Sequence, residues 1–264
     1  MKASLNYQAL KNGQAVSDAL VVEVPVQLFI EEEPLTVSMC TPNHIREWAF
    51  GILFTEGIIR SAEQVTSYSE EIEEHQITLR VSLASAANAV TNKRSLLSVS
   101  ACGICGKTAF EPKTRSDDEL RSMTLRDDRK ADDEQSSMTL REDIAKMMVQ
   151  LRERQSLFEE TGGCHAAGVF SKNKELLFAS EDIGRHNAVD KVVGSLVIHQ
   201  QLREAKYLMV SGRVSYEIVA KCFAAGIPHL AAVSSPSSLA VDYAKELGIS
   251  LFAFCRENRI TQYA

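Results

Sequence analysis

The stretch SACGICGKTAF, residues 100–110, holds two cysteines at a spacing that metal sites and thiol chemistry both use. Cys102 and Cys105 are separated by two residues, and each is followed by a glycine. A structural zinc site generally takes four ligands, from two such pairs or from one pair and two histidines. The chain has no second CxxC, and its other cysteines are single. Zinc would need ligands from distant segments and is therefore the less favoured interpretation.

Two further interpretations of the cysteine pair are about equal on chemistry alone. In a dithiol oxidoreductase the pair would follow a strand and lie at a helix N-terminus, where the dipole lowers the thiol pKa. The apolar LLSVSA before the pair permits that strand. In a sulfur carrier, glycines 103 and 106 would let the loop approach a partner, and Lys107 would favour a thiolate that accepts sulfur as a persulfide. Six cysteines in 264 residues are too few for a disulfide framework, so reduced thiols are expected.

A second candidate thiol is Cys164, which lies beside His165 in TGGCHAAG, residues 161–168. Small residues at this position more often mean tight packing at the start of a strand than catalysis. The remaining cysteines, Cys40, Cys222 and Cys255, are expected to be buried and unreactive.

The carboxyl-terminal part of the sequence alternates strands with helices. Such alternation predicts a largely parallel sheet with helices on both faces, and ligands of such sheets bind at the carboxyl ends of the strands. The predicted strands cover residues 164–171, 175–180, 206–211, 228–234 and 249–255, and the predicted helices lie near 186–200, 215–225 and 237–247.

Basic side chains and glycines follow several of these predicted strands. Each alone could belong to a capped helix that faces water. Together they favour an anionic, nucleotide-like ligand on one rim of the sheet, although neither GxxxxGK[ST] nor a strand-bound GxGxxG is present. The residues are Arg185, His186 and Lys191 in EDIGRHNAVDK, Gly212 and Arg213 in SGRVS, and Arg256 and Arg259 in FCRENR.

The amino-terminal part predicts a smaller α+β region. Residues 19–30 and LTVSMC read as a hairpin, and residues 75–83 alternate as a half-buried strand should. Between them, TPNHIREWAFGILFTEG predicts a helix with Thr41 as N-cap, Pro42 as the first helical residue and Gly57 as the stop.

A charged stretch separates the two parts. DDELRSMTLRDD at 117–128 recurs as DDEQSSMTLRED at 132–143, which indicates a local duplication in a solvated segment. Thr139 and Glu142 predict a capping box that opens a helix, with Ile144, Met147, Met148 and Leu151 on its buried face. The predicted organisation is a region at 1–110, a linker at 111–138 and an α/β ligand-binding domain at 139–264.

Charge and hydropathy exclude two classes of partner. The 29 basic and 35 acidic side chains give a net charge of -6, so the molecule has no overall field that favours nucleic acid. The amino terminus lacks the apolar core of a signal peptide, and no apolar run approaches the ~18 residues of a membrane span. We therefore expect a cytoplasmic protein.

Five motifs, in this order, resemble the formate dehydrogenase accessory sulfurtransferases of the FdhD/NarQ type: PNHIREWAFGILFTEGII, CGICG, TGGCHAAG, EDIGRHNAVDK and SGRVSYEIVAK. The resemblance covers the chain from about residue 19. It implies a three-layer mixed α/β sheet similar to the cytidine deaminase fold, with a smaller amino-terminal α+β domain. The zinc-binding HxE and PCxxC signature of those deaminases is absent.

The resemblance also implies a function. A cysteine desulfurase would load Cys102 as a persulfide with the help of Cys105, and the sulfur would pass to a molybdenum bis(molybdopterin guanine dinucleotide) cofactor that formate dehydrogenase needs. A homodimer is implied, while no permanent cofactor or metal is expected. A cofactor-binding chaperone without sulfur transfer and a zinc-stabilised scaffold are the alternatives. The implied cofactor segment consists of Phe252, Ala253, Phe254, Cys255, Arg256 and Glu257.

Overall fold

The computed structural model describes residues 1–84, 134–256 and 259–264, and places the amino-terminal strands in two sheets. An antiparallel hairpin pairs β1 with β2, and a four-stranded sheet has the order β4-β3-β6-β5, in which only β3 and β6 run parallel. The predicted strand at 19–30 is thus divided between β2 and β3. The elements are β1 (Ser4–Lys11), β2 (Gln14–Val21), β3 (Val24–Ile30), β4 (Glu33–Cys40), α1 (Ile45–Thr55), a 3-10 turn (Ala62–Gln64), β5 (Val65–Ile72) and β6 (Ile77–Leu83).

Helix α1 ends as predicted but begins later. Gly57 adopts φ 76° just beyond the helix, which confirms the predicted stop. The predicted cap is wrong, because the N-cap is His44, with φ 49°, and not Thr41. The hydroxyl of Thr41 instead accepts the Ile183 N–H at 3.1 Å. Thr41 therefore joins the amino-terminal part to the carboxyl-terminal sheet.

The carboxyl-terminal part forms a six-stranded sheet of order β12-β11-β10-β9-β7-β8. The predicted strands and helices after residue 163 are confirmed, whereas α3 and β12 were not predicted. The elements are α2 (Glu134–Glu153), α3 (Ser156–Thr161), β7 (His165–Ser171), β8 (Leu176–Asp182), α4 (Arg185–Ile198), β9 (Ala205–Val210), α5 (Tyr216–Ala224), β10 (His229–Ala232), α6 (Ser238–Leu247), β11 (Ser250–Arg256) and β12 (Arg259–Gln262).

This sheet is mixed, and the prediction of a largely parallel sheet needs correction. Strands β9, β10 and β11 are parallel, while β7 is antiparallel to both β8 and β9, and β12 is antiparallel to β11. A four-residue connection joins β7 to β8, and such a short connection allows only an antiparallel pair. Strands β8, β9, β10 and β11 nevertheless end at the same edge.

Helices cover both faces of the six-stranded sheet. On one face α2 buries the predicted Ile144, Met147, Met148 and Leu151 against the sheet. Because α2 already begins at Glu134, the predicted capping box at residue 139 is wrong. The predicted boundary at residue 138 falls within α2, and that at residue 110 lies outside the described residues.

On the other face α4 lies between the sheet and α1. One apolar cluster runs from Leu28 and Trp48 of the amino-terminal part through Val192 to Leu208 of the sheet. Every residue of α4 from His186 to Val197 is buried. None of the helices in the described ranges is long and apolar enough to cross a membrane.

Candidate functional site

The carboxyl ends of β8, β9, β10 and β11 form one edge of the six-stranded sheet, and the start of β7 lies on it too. Cross-strand registers pair His165 with Asp182 and Val210 with Ala232. The structure thus brings several of the predicted binding residues to one edge. We call this edge the basic rim, and define it by His165, Arg185, Gly212, Arg213, Phe254, Arg256 and Arg259.

Backbone hydrogen bonds hold the loops of the basic rim in place. The Val214 N–H donates to the Ser235 carbonyl at 3.1 Å, and the Ser237 N–H donates to the Val214 carbonyl at 2.9 Å. The hydroxyl of Ser211 accepts the Ala166 N–H at 2.8 Å. The loop that carries Gly212 and Arg213 is therefore fixed against its neighbours on both sides.

The centre of the basic rim lies between Arg185 and His165. A Cβ atom on Gly212 would come within 3.3 Å of the His165 Nδ1 and of the Arg185 Cβ, so the glycine keeps this space open. The Nε of Arg185 is buried and makes no hydrogen bond to a described residue. Arg213, in the next position along the loop, is exposed. A buried donor without an acceptor, flanked by a second guanidinium, suits an oxyanion.

His186 is buried and does not face the solvent at the basic rim. Its Nε2 lies 3.0 Å from a Glu217 carboxylate oxygen and 3.0 Å from the Ser215 hydroxyl. These contacts join the start of α4 to the start of α5. Ser215 is the N-cap residue of α5, although its side chain makes no capping hydrogen bond.

Lys191 is also buried, so the prediction that it lies on the rim of the sheet is wrong. Its side chain is 0% exposed, and its Nζ donates to Asp182 Oδ2 at 2.6 Å, to Asn43 Oδ1 at 2.5 Å and to the Thr41 carbonyl at 2.9 Å. The physical reason is that α4 is covered on all sides, which turns its charged side chains toward internal partners.

Asp182 is the residue of this region that sequence reasoning missed. Its Oδ1 accepts the Gly184 N–H at 2.7 Å and the Asn187 Nδ2 at 3.0 Å, and its Oδ2 accepts the Thr41 N–H at 3.0 Å besides Lys191. An aspartate at the end of a strand and two residues before a glycine is a turn-forming signal that could have identified it.

The segment predicted to bind the cofactor has both buried and accessible parts. Phe252, Ala253 and Cys255 are buried in the sheet, and burial raises the pKa of the Cys255 thiol to about 11. Phe254 has φ 54°, in the left-handed region that aromatic residues rarely adopt, at a β-bulge against β12. Among residues 252–256 of this segment, only Phe254 and Arg256 therefore offer accessible side chains.

The basic rim continues from β11 into β12. The Arg259 guanidinium carbon lies 4.8 Å from the centroid of the Phe254 ring, and Arg256 pairs with Arg259 across the strands. The Nε of Arg256 donates to the Val233 carbonyl at 3.2 Å, which fixes that side chain to the end of β10. Glu257, Cys102 and Cys105 lie outside the described residues.

Cys164 and His165 differ in their surroundings. The Cys164 thiol is buried and donates to a Glu181 carboxylate oxygen at 3.3 Å, and burial followed by the charge of Glu181 raises its pKa. Cys164 is therefore a poor nucleophile. Burial and the nearby Arg185 lower the pKa of His165. Among residues 1–84, 134–256 and 259–264, no three acidic, histidine or cysteine side chains could together hold a metal ion.

Comparison with known proteins identifies the family. The model of the FdhD/NarQ family matches residues 21–264. Proteins named sulfur carrier protein FdhD are similar over most of the chain: that of Mycolicibacterium paratuberculosis is 39% identical, covering 96% of this chain and 93% of its own. That of Saccharolobus solfataricus is 36% identical, covering 94% and 89%.

A solved structure supports the fold independently. The crystal structure described as a formate dehydrogenase accessory protein from Desulfotalea psychrophila superposes with a TM-score of 0.70 and covers 98% of this chain and 95% of its own. At 23% identity this likeness shows the mixed α/β fold alone. With the family model matching nearly the whole length, the resemblance carried by the five sequence motifs is confirmed, and the chain belongs to the FdhD/NarQ family.

Proposed function

We propose that this protein is a sulfur carrier in the maturation of formate dehydrogenase, and that it acts as a sulfurtransferase through a persulfide on Cys102. The names of its relatives support the sulfur-carrier role, and the Desulfotalea psychrophila neighbour supports the link to formate dehydrogenase. In this proposal a cysteine desulfurase supplies the sulfur. The acceptor, and thus the substrate, is a molybdenum bis(molybdopterin guanine dinucleotide) cofactor at the basic rim.

The loading step is a thiol exchange. The Cys102 thiolate attacks the outer sulfur of the donor persulfide, a new S–S bond forms to Cys102, the donor's S–S bond breaks, and the donor cysteine leaves as a thiolate. The transferred atom keeps its oxidation level, so no further oxidant or reductant is needed. Cys105 is the assisting thiol.

The observation that carries the cofactor proposal is the unpaired Arg185 Nε beside Gly212. An oxyanion of a pyrophosphate would accept from this donor and from Arg213, and the missing side chain at Gly212 leaves room for it. Phe254 lies on β11, two strands and about 10 Å from β9 by the usual strand spacing, and Arg259 lies on β12, one strand further. That separation suits a ligand with a pyrophosphate and an aromatic base.

Mass spectrometry tests sulfur loading directly. After incubation with a cysteine desulfurase and cysteine, we expect one added sulfur atom on Cys102, and the same addition in a Cys164→Ala control.

A Cys102→Ala strain should lose formate dehydrogenase activity while the amount of enzyme stays normal. Full activity of Cys102→Ala would contradict the carrier role, and activity without both cysteines of the pair would favour a cofactor-binding chaperone. Metal analysis of the purified protein tests the alternative of a zinc-stabilised scaffold, which requires bound zinc in place of free thiols.

Equilibrium dialysis with guanosine diphosphate tests the basic rim. Arg213→Ala removes a charge-assisted hydrogen bond worth about 1.5–3 kcal/mol, so we expect roughly 10- to 100-fold weaker binding. Arg203→Ala is the matched control, because Arg203 is also exposed but precedes β9 at the opposite edge of the sheet. Equal affinities of the two variants would overturn this placement of the ligand.

Three finer expectations stay predictions from the family resemblance. They are the similarity of the six-stranded sheet to the cytidine deaminase fold, the homodimer, and the location of the protein in the cytoplasm.

A further inference from the structure

His165 is a rim residue to which sulfur transfer assigns no task. It is the first residue of β7 and pairs in register with Asp182, the last residue of β8. Its Nδ1 would lie 3.3 Å from a Cβ on Gly212, on the same side of that glycine as the Arg185 side chain. The imidazole and the Arg185 side chain thus border the same space beside Gly212, and the Nε of that arginine is buried and makes no hydrogen bond to a described residue.

The charges around His165 are mostly positive. Arg185 and His186 face it from α4, and Arg213 faces it from the loop after β9. Asp182 on β8 is the nearby negative charge that opposes them, and its carboxylate already accepts four hydrogen bonds. Burial lowers the pKa of His165 most, and Arg185 lowers it further. Without a ligand the ring is therefore neutral at neutral pH.

We propose that His165 contacts the pyrophosphate of the bound cofactor between Arg185 and Gly212, and that it takes up a proton when this dianion binds. The proposal rests on the proposed function, since it names a residue for the same ligand. An oxyanion in this space offsets the repulsion from Arg185 and Arg213 and accepts an N–H from the imidazole. The uncharged ring thereby becomes a charged hydrogen-bond donor.

The sign of the pH dependence follows from linkage. The pKa of His165 is lowered in the empty site and rises in the complex, so the complex binds more protons between the two pKa values. Affinity therefore increases as the pH falls through the pKa of the complex, and becomes constant below the pKa of the empty site. One titrating group limits the change to about tenfold per pH unit.

The probe for this test is P1,P2-di(guanosine-5′) pyrophosphate. Each of its phosphates carries one ester and one anhydride bond and no second ionisable hydroxyl, so its charge does not change between about pH 5.5 and 8, whereas the terminal phosphate of guanosine diphosphate titrates near pH 6. Calorimetry of the wild-type protein at about pH 6 and pH 8 should give roughly 3- to 10-fold tighter binding at the lower pH. Buffers with different ionisation enthalpies should reveal the proton uptake.

Two variants assign the proton. His165→Gln keeps a neutral donor but cannot titrate, so its affinity should no longer depend on pH and its proton uptake should disappear. His199→Gln is the matched control, because His199 is exposed at the far end of α4. It should retain the wild-type pH dependence.

The outcomes separate this inference from the proposed function. If the wild type binds the probe without proton uptake, or if His165→Gln takes up protons as the wild type does, the role of His165 is overturned while the cofactor site stands. If the wild type does not bind the probe, the cofactor site itself is overturned. The wild-type buffer series decides the question even if His165→Gln does not fold.

Discussion

At the scale of single residues, the four cysteines that lie within the described ranges are all buried: Cys40, Cys164, Cys222 and Cys255. Burial is the largest cause of a raised thiol pKa at each of them. The thiolate is the reactive form, so a thiol whose pKa is raised and whose sulfur is shielded reacts slowly with alkylating reagents. These four thiols are therefore expected to be unreactive, and the proposed function assigns the thiol chemistry of the chain to the CxxC pair.

We therefore expect selective alkylation of the native protein. Iodoacetamide at about pH 7.5 should modify Cys102 and Cys105 well before the four buried cysteines, as peptide mass spectrometry at successive times would measure. Unfolding in urea should make all six cysteines react at similar rates, which is the control. Rapid native labelling of Cys164 would contradict the burial of its thiol.

The residues of the basic rim show what can be predicted at this scale. Arg185, Gly212 and Arg213 follow strand ends, and strand ends can be read from alternation and from turn residues. Lys191 could not be placed in this way, because its burial depends on α1 and the sheet enclosing α4, and that packing comes from distant segments. Local pattern predicts where a residue lies along an element, but not what covers it.

At the scale of elements, the crossing of α1 and α4 depends on two glycines. A Cβ on Gly194 would overlap the Glu47 carbonyl, and a Cβ on Gly51 would overlap the Asp190 carbonyl. The two helix backbones therefore touch directly at this crossing. Because α4 begins with Arg185, its depth against α1 sets the position of that arginine on the basic rim.

Replacing Gly194 by alanine should destabilise the protein by about 3 kcal/mol or more, because the added methyl meets backbone that cannot move aside. The better helix propensity of alanine returns only about 1 kcal/mol. Gly163→Ala is the matched control, because its Cβ would lie 3.0 Å from the Cγ1 of Val21, a side-chain atom, and not against backbone. Urea denaturation measures both variants, and an equal, small change in the two would contradict the close crossing.

The elements that were not predicted from the sequence have weak local patterns, each for a reason of its own. The β1–β2 hairpin has largely exposed strands, so the alternation of apolar and polar residues that marks a half-buried strand is weak there. Strand β12 has only four residues. The start of α2 lies in the charged, duplicated stretch, and the composition of that stretch fits a solvated linker as well as a helix.

At the scale of the whole molecule, the buried Asp182–Lys191 pair joins the amino-terminal part to the sheet that forms the basic rim. Lys191 reaches Thr41 and Asn43, which precede α1, while Asp182 accepts the Thr41 N–H and the Gly184 N–H at the start of α4. Both partners are 0% exposed, so water does not screen their interaction. The orientation of the two parts and the start of α4 thus depend on the same ion pair.

Lys191→Met should therefore unfold at a clearly lower urea concentration, because it leaves the Asp182 carboxylate buried without its cation. Breaking a buried pair in this way costs about 3–5 kcal/mol. Lys245→Met, at an exposed lysine in α6, should change stability by less than about 0.5 kcal/mol.

Adding Asp182→Asn to Lys191→Met removes the uncompensated charge, so the double variant should be more stable than the sum of the two single changes predicts.

The same proteins separate the structural role of Lys191 from a ligand-binding role. If Lys191→Met kept its stability but bound guanosine diphosphate much more weakly, then Lys191 would act at the basic rim after all. The ion pair would then not be what holds the two parts of the molecule together.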